Sequence, residues 1–229
     1  MDGSRWRGTA ILLLVPAAAV GLIGCGSSGS SATTSNTGAA PFTAAKLRAA
    51  LLTRVNGIKA TAPATTGDYT SLAAADPSRH MSAGVSVTPK SCSGYAPDGL
   101  NAALIASSPA AAVSFRVGHN GVSEMLVSSS ATSSALMAKV PAQCTRYAET
   151  IGGKTFRYTV KESAVKGIGE EAHVLTVRST GGTADDMWSL VYRGRGFVGS
   201  VTVVGPGASE AAVKSLGKRA YAFAAKELS

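Results

Sequence analysis

The chain has 229 residues, 45% of them hydrophobic, and sets 22 Lys and Arg against 13 Asp and Glu for a formal net charge of +9. That length supports one domain with a core of its own. The positive balance bears on partners and not on fold, and the cations are spread along the chain without any Lys/Arg tract.

Arg5 and Arg7 open the chain with positive charge, and Ala10 to Ile23 follows as an apolar run containing Pro16. The run is shorter than the roughly 20 apolar residues of a spanning helix, so it reads as a removable secretory signal. Leu22-Ile23-Gly24-Cys25 ends it, and Gly26-Ser27-Ser28-Gly29 comes next. Those residues resemble the lipobox of bacterial lipoprotein precursors, in which the cysteine is acylated and becomes the new N-terminus. The resemblance implies a signal peptide over 1–24, lipidation of Cys25, and a location on the extracytoplasmic face of the cell membrane. Two alternatives stay open here. Cleavage after Ala17-Ala18-Ala19 would leave Cys25 an ordinary thiol, and an uncleaved signal would act as an anchor. Residues 25–41 are dominated by Ser, Gly, Thr and Ala and cannot bury a core, so they read as a tether. The domain proper is expected over 42–229. An exported domain rarely meets nucleic acid, so the basic balance points to anionic lipid head groups or to solubility.

Cys92 and Cys144 are the remaining cysteines. In an oxidising compartment an even pair defaults to a disulfide. It would close a loop of about 50 residues and contribute roughly 4 kcal/mol on the chain-entropy model. Two cysteines without clustered histidines are too few for a metal site, and no cofactor is expected.

Taken in order, Thr43 is a good N-cap and Phe42 is placed to staple onto Leu47. Leu47, Leu51, Val55 and Ile58 repeat at helical spacing, with Asn56-Gly57 as the stop. From Lys59 to Gly99, prolines and glycines leave an irregular stretch with one short strand around Val85 to Val87. Val113 to Val117 alternates, His119-Asn120-Gly121 supplies a turn, and Val122 to Val127 returns as a hairpin partner. Thr132 to Ala148 reads as a helix with Leu136, Val140, Cys144 and Tyr147 on one face, kinked or split at Pro141. Strand-like runs follow at Thr155–Val160, Ala172–Arg178, Met187–Tyr192 and Phe197–Val204. Ser209 then caps a closing helix with Val213, Leu216, Ala220 and Phe223 as its buried stripe, and Lys214 and Lys218 outside. The expected class is α+β, an antiparallel sheet covered by helices.

The leading helix, Cys92 before a hairpin, Cys144 in the next helix, and Tyr192-Arg193-Gly194-Arg195-Gly196-Phe197 before an Ala-rich closing helix together resemble a known family. They are similar to the extracellular sensor domain of PknH-type mycobacterial serine/threonine kinases and to actinobacterial lipoproteins carrying that domain alone. The resemblance covers roughly Thr43 to Leu228. It implies a twisted antiparallel sheet with flanking helices and a cleft, of PsbP-like type, and a binding or sensing role at the envelope without catalysis. This chain departs by lacking a kinase domain and a transmembrane segment, and by having cysteines for one disulfide where the kinase domains have two.

Several constellations are weighed on their chemistry. Gly194-Arg195-Gly196-Phe197-Val198-Gly199 spells G-x-G-x-x-G, but a strand and not a helix follows, so it marks a hairpin and not a dinucleotide site. Asp185-Asp186 and Glu170-Glu171 are neighbours expected to point to opposite sheet faces, so neither pair is expected to converge on one substrate atom. No serine sits in a G-x-S-x-G elbow. His119 reads as a solvated turn residue, and His80 lies in the irregular stretch. His173 shares a strand face with Leu175 and Val177, either as a core histidine or as a ligand or pH contact. Arg193 and Arg195 are expected at a hairpin tip, solvated or touching an anionic head group. Tyr69 and Tyr95 are the aromatic residues of the irregular stretch, with apolar faces and polar tips suited to an amphipathic ligand, or to packing. The expected ligand site is therefore a cleft between the sheet and Lys59–Gly99, built from Tyr69, Tyr95 and His173, with Arg193 and Arg195. An envelope lipid, a glycan or a partner protein would fill it. The rival readings are an envelope hydrolase with a loop-built active site and a scaffolding lipoprotein.

Overall fold

The computed structural model describes residues 41–75, 85–92, 99–130, 134–151, 153–180 and 186–229. Cys25, the signal, the tether up to residue 40, His80, Tyr95, Thr132 and Asp185 lie outside the described residues. The chain runs α1 (Ala44–Ala49), β1 (Arg54–Val55), β2 (Ile58–Lys59), β3 (Thr65–Asp68), α2 (Tyr69–Ala75), β4 (Val85–Thr88), α3 (Ala102–Ile105), β5 (Pro109–Val117) and β6 (Asn120–Ser128). It continues through β7 (Arg146–Ile151), β8 (Lys154–Ala164), β9 (Glu171–Thr180), β10 (Met187–Gly194), β11 (Phe197–Val204) and α4 (Glu210–Glu227). Nine strands form one antiparallel sheet in the order β3-β5-β6-β11-β10-β9-β8-β7-β4, so the fold is α+β as expected.

Alternation along the strands splits the buried side chains into two cores. On the first face, Val113, Phe115, Val122, Leu126, Trp188, Leu190, Tyr192 and Val201 meet Leu47 of α1, Leu51 just past it, Val55 of the small hairpin, and Val213, Leu216 and Ala220 of α4. On the second face, Ala110, Met125, Val127, Val160, Leu175, Val191 and Val198 meet Tyr69 and Leu72 of α2, Ile105 of α3, and Leu100, Leu136 and Met137 of connecting segments. Each large apolar side chain buried this way contributes about 1.5–3 kcal/mol. The sheet is thus the shared middle layer, with a mainly helical cover on one face and a mainly loop cover on the other.

Both helix caps read from the sequence are present. Thr43 Oγ1 accepts from Lys46 N at 3.2 Å and Ser209 Oγ from Ala212 N at 3.2 Å. α4 comes close to β10 because Gly217 carries no Cβ where the Leu190 side chain lies. The closing stripe is Val213, Leu216, Gly217, Ala220 and Ala224; Phe223 is only half-buried.

Four expectations need correction. The first helix ends at Ala49, and Val55 and Ile58 belong to the β1–β2 hairpin. Asn56 (φ 50°) and Gly57 (φ 81°) supply the two left-handed positions of a tight hairpin turn between β-branched residues, which outcompetes helical spacing there. The turn before β6 is Gly118-His119, since Val117 pairs with Asn120 and Gly118 takes the left-handed position at φ 61°. No middle helix spans Thr132 to Ala148. Its described part holds 3₁₀ turns at Ser134–Leu136 and Ala142–Cys144, then β7. Pro141 lacks an N–H and disfavours the helical conformation in the residue before it. Lastly, Lys59–Gly99 contributes regular structure, since β3 and β4 form the two edges of the sheet. Short, largely exposed edge strands carry little hydrophobic alternation to read.

Candidate functional site

Cys92 and Cys144 form the expected disulfide, with Cα atoms 5.6 Å apart. Both are buried, each in a 3₁₀ turn, Lys90–Cys92 and Ala142–Cys144. The bridge ties the chain just past β4 to the segment that leads into β7. The second-face cover is therefore anchored covalently.

On the second face, a charged cluster has formed from adjacent strands. His173 on β9 lies between two carboxylates, Nδ1 2.9 Å from Glu162 Oε1 of β8 and Nε2 3.2 Å from Glu171 Oε1. Residues i and i+2 of a strand share a face, which places Glu171 and His173 together. Register adds Arg193 of β10 directly opposite Glu171. The Arg193 guanidinium reaches Glu171 at 3.8 Å and pairs with Glu170 just before β9. The other oxygen of Glu162 accepts from Val140 N at 3.2 Å, so the cluster also holds the covering segment down. Every carboxylate here is thereby committed to a cation or an N–H.

This arrangement revises two readings. Glu170 and Glu171 do converge, on the Arg193 guanidinium, because Glu170 precedes the strand and is not bound by its alternation. Arg193 is a half-buried strand residue and not a hairpin-tip charge, while Arg195 occupies the exposed turn between β10 and β11. Gly194 pairs with Phe197 across that turn and Gly196 takes φ 82°, so the glycine-rich stretch is the hairpin read from it. Tyr69 is 1% exposed and packs in the second core. Thus the structure joins His173 to Arg193 through Glu171 and seats Tyr69 in packing.

A groove opens on the first face, between the β1–β2 hairpin, the β5–β6 turn region and α4. Its volume is about 240 Å³. Val55, Val117, Val122, Val203 and Leu216 make an apolar floor, with Asn56, Asn120, Ser215 and Arg219 around it. Asn120 Oδ1 accepts from Gly207 N at 2.9 Å, fixing that wall, and Arg219 Nη1 lies 3.5 Å from Asn56 Oδ1. Among the described residues no carboxylate pairs with Arg219. Periodicity could not reveal this groove, because its walls come from four separated segments. The one sequence signal was Asn56-Gly57, whose hairpin chemistry competed with helical spacing.

Beneath α1 lies one further ionisable group. Glu124 on β6 is 1% exposed, its Oε2 accepting from Leu52 N at 2.9 Å and its Oε1 without a hydrogen-bond partner. Burial pushes this carboxyl up to about 8, against the opposing pull of the Leu52 N–H. Tyr192, also fully buried, is pushed well above the usual tyrosine range by burial and then by the Glu124 charge. No group of three or more His, Cys, Asp or Glu side chains among the described residues is placed to hold a metal ion.

No protein-family model matches the chain, and neither does any curated protein. Two solved structures are similar in fold. The extracellular domain of PknH from Mycobacterium tuberculosis aligns over 73% of this chain and 82% of its own, at 13% identity and a TM-score of 0.43. A putative uncharacterized protein of Mycobacterium smegmatis, an Rv0999 ortholog, aligns over 80% of this chain and 95% of its own, at 18% identity and a TM-score of 0.44.

Proposed function

We propose that this chain is a lipid-anchored extracytoplasmic protein whose domain binds or senses a ligand and does not catalyse. Its use of cysteine is the observation that carries the reading. Of three cysteines, two form a buried disulfide, which persists in oxidising compartments. The third, Cys25, stands at the end of the apolar run, where acylation would use it. The charged cluster is read as a tie that holds the cover: Glu162, Glu170 and Glu171 are engaged by His173, Arg193 and Val140 N.

The groove beside α4 is the ligand site this reading favours. At about 240 Å³ it falls below the usual ~300–1,000 Å³ of ligand pockets. It suits a polar head group or single sugar ring, with the apolar part of an envelope lipid on its valine floor. Metabolic labelling with a fatty-acid analogue tests the anchor: the wild type is tagged and Cys25→Ala is not. Mass spectrometry of lipid extracts co-purifying with the wild type and with Arg219→Ala tests the site. Equal labelling of Cys25→Ala would overturn the anchor. Undiminished ligand in Arg219→Ala would remove the groove from the proposal.

A further inference from the structure

The cover of the first face is strongly basic. α1, the β1–β2 hairpin and α4 span 44–59 and 210–227 and carry Lys46, Arg48, Arg54, Lys59, Lys214, Lys218, Arg219 and Lys226, against Glu210 and Glu227 alone. From Pro41 to Gly67 there is no acidic residue. Glu210 is taken by Lys214 one turn along α4. The other seven cations form no ion pair among the described residues, and all seven are exposed. Arg54 and Lys59 are direct cross-strand partners, so two like charges face solvent side by side. Within a fold such a pair is unfavourable; it becomes favourable when an anionic surface lies over it. Ile58, 40% exposed, stands beside them in the same hairpin, one of two large apolar side chains left exposed among the described residues.

The chain enters the domain at the same face. Phe42 packs against the first core, and its N–H donates to Ser128 Oγ at 2.9 Å. Cys25 precedes Phe42 by 17 residues, a length that spans at most ~60 Å even when fully extended. An acylated Cys25 would therefore hold the domain near the bilayer, and the charge pattern selects the face. The second face is the poorer candidate, since Glu149, Glu162 and Glu171 lie on it.

From the charge pattern and the point of entry, and resting on the lipid-anchored reading, we infer that the α1–hairpin–α4 layer docks on the anionic lipid surface of the bilayer that holds the anchor. Each basic side chain brought to such a surface favours contact by about fivefold, within a Debye length. Several weak contacts then orient a tethered domain without adding a second anchor. The docked face includes the mouth of the groove, at Asn56 and Arg219.

Lysine footprinting of the full mature chain tests this on vesicles of phosphatidylcholine alone and of phosphatidylcholine with phosphatidylglycerol. With an amine-reactive reagent and mass spectrometry, Lys46, Lys59 and Lys218 are expected to react at least about threefold more slowly on the anionic vesicles. Lys139 and Lys154, exposed elsewhere, should not change. The protection should vanish at high salt and in the Arg54→Glu/Lys59→Glu/Lys218→Glu/Arg219→Glu variant, whose circular dichroism spectrum reports that it is folded. Flotation on neutral vesicles separately reports the anchor. A chain that floats while its lysines react equally on both vesicles keeps the anchor and overturns the docking. A chain that does not float loses the anchor reading, while charge-dependent protection on anionic vesicles would still establish the docking. Protection that is independent of lipid charge would indicate apolar contact with the bilayer or self-association and overturn the proposal.

Discussion

The two faces of the sheet solve the same problem by different means. The first is covered by α4, α1 and a small hairpin, whose apolar stripes interlock with the sheet around one buried carboxyl. The second is covered by short helices, 3₁₀ turns and connecting segments, held by a disulfide, by Glu162 gripping Val140 N, and by the His173–Glu171–Arg193 cluster. A regular helix presents a continuous apolar stripe to the sheet. The segments of the second cover bury Leu100, Ile105 and Leu136 as completely, and covalent and ionic ties fix a backbone that has no continuous stripe. The charge follows the same division, with unpaired cations over the helical cover and paired carboxylates beneath the loop cover.

The largest expected effect breaks the tie on the second face. Cys92→Ser should cost about 2–5 kcal/mol, measured as a drop in urea-unfolding free energy. A loss below about 1 kcal/mol would mean that the loop cover does not depend on the bridge.

Next comes the buried carboxyl of the first face. Glu124 holds its proton to about pH 8 when folded but loses it near its ordinary 4.5 when unfolded. Its contribution is therefore fully present below pH 4.5 and declines as the pH rises to 8. From pH 5 to 8 that loss is roughly 3 kcal/mol. Glu124→Gln removes the titration, so its unfolding free energy should vary less over that range by about this amount. Parallel pH profiles for the two proteins would contradict the buried, protonated state.

Gly199→Ala probes packing on the same face. A Cβ there would lie 2.5 Å from the Tyr192 ring, which is fully buried and has nowhere to move. The expected cost is about 1–3 kcal/mol, read from the thermal midpoint. An unchanged midpoint would show that the ring can shift.

The smallest effect should come from Arg54→Glu, exposed on the hairpin, which should alter stability by no more than about 0.5 kcal/mol. A larger loss would mean that the basic residues hold the cover itself in place.

Legibility in the sequence divides along the same lines. β11 was readable residue for residue because Phe197 to Val204 is rich in β-branched residues and bounded by glycines. The cap of α4 was readable because Ser209 acts locally. The first helix was read too long because Val55 and Ile58 keep helical spacing, while the left-handed pair Asn56-Gly57 decides the backbone. The edges β3 and β4 were hidden for a different reason: strands exposed at a sheet rim need no alternation. At the candidate sites, His173 was singled out by its strand face, but its partner Glu162 could not be. That pairing depends on the register of β8 against β9, which places Glu162 opposite Leu175, and nothing local sets it. The groove depends on four segments meeting and was equally invisible.

The sheet order has a consequence for how the domain is completed. β3 and β4 are near neighbours in the chain yet close opposite rims of the sheet, each beside a strand that comes later in sequence. β8 to β11 can zip together as successive hairpins from local contacts. The rims cannot close until β5 and β7 exist to receive them, and pairings that wait on distant partners are slow to form. Synthesis from the N-terminus delivers β3 and β4 before either partner strand. Each rim strand therefore stays unpaired until β5 or β7 has followed it.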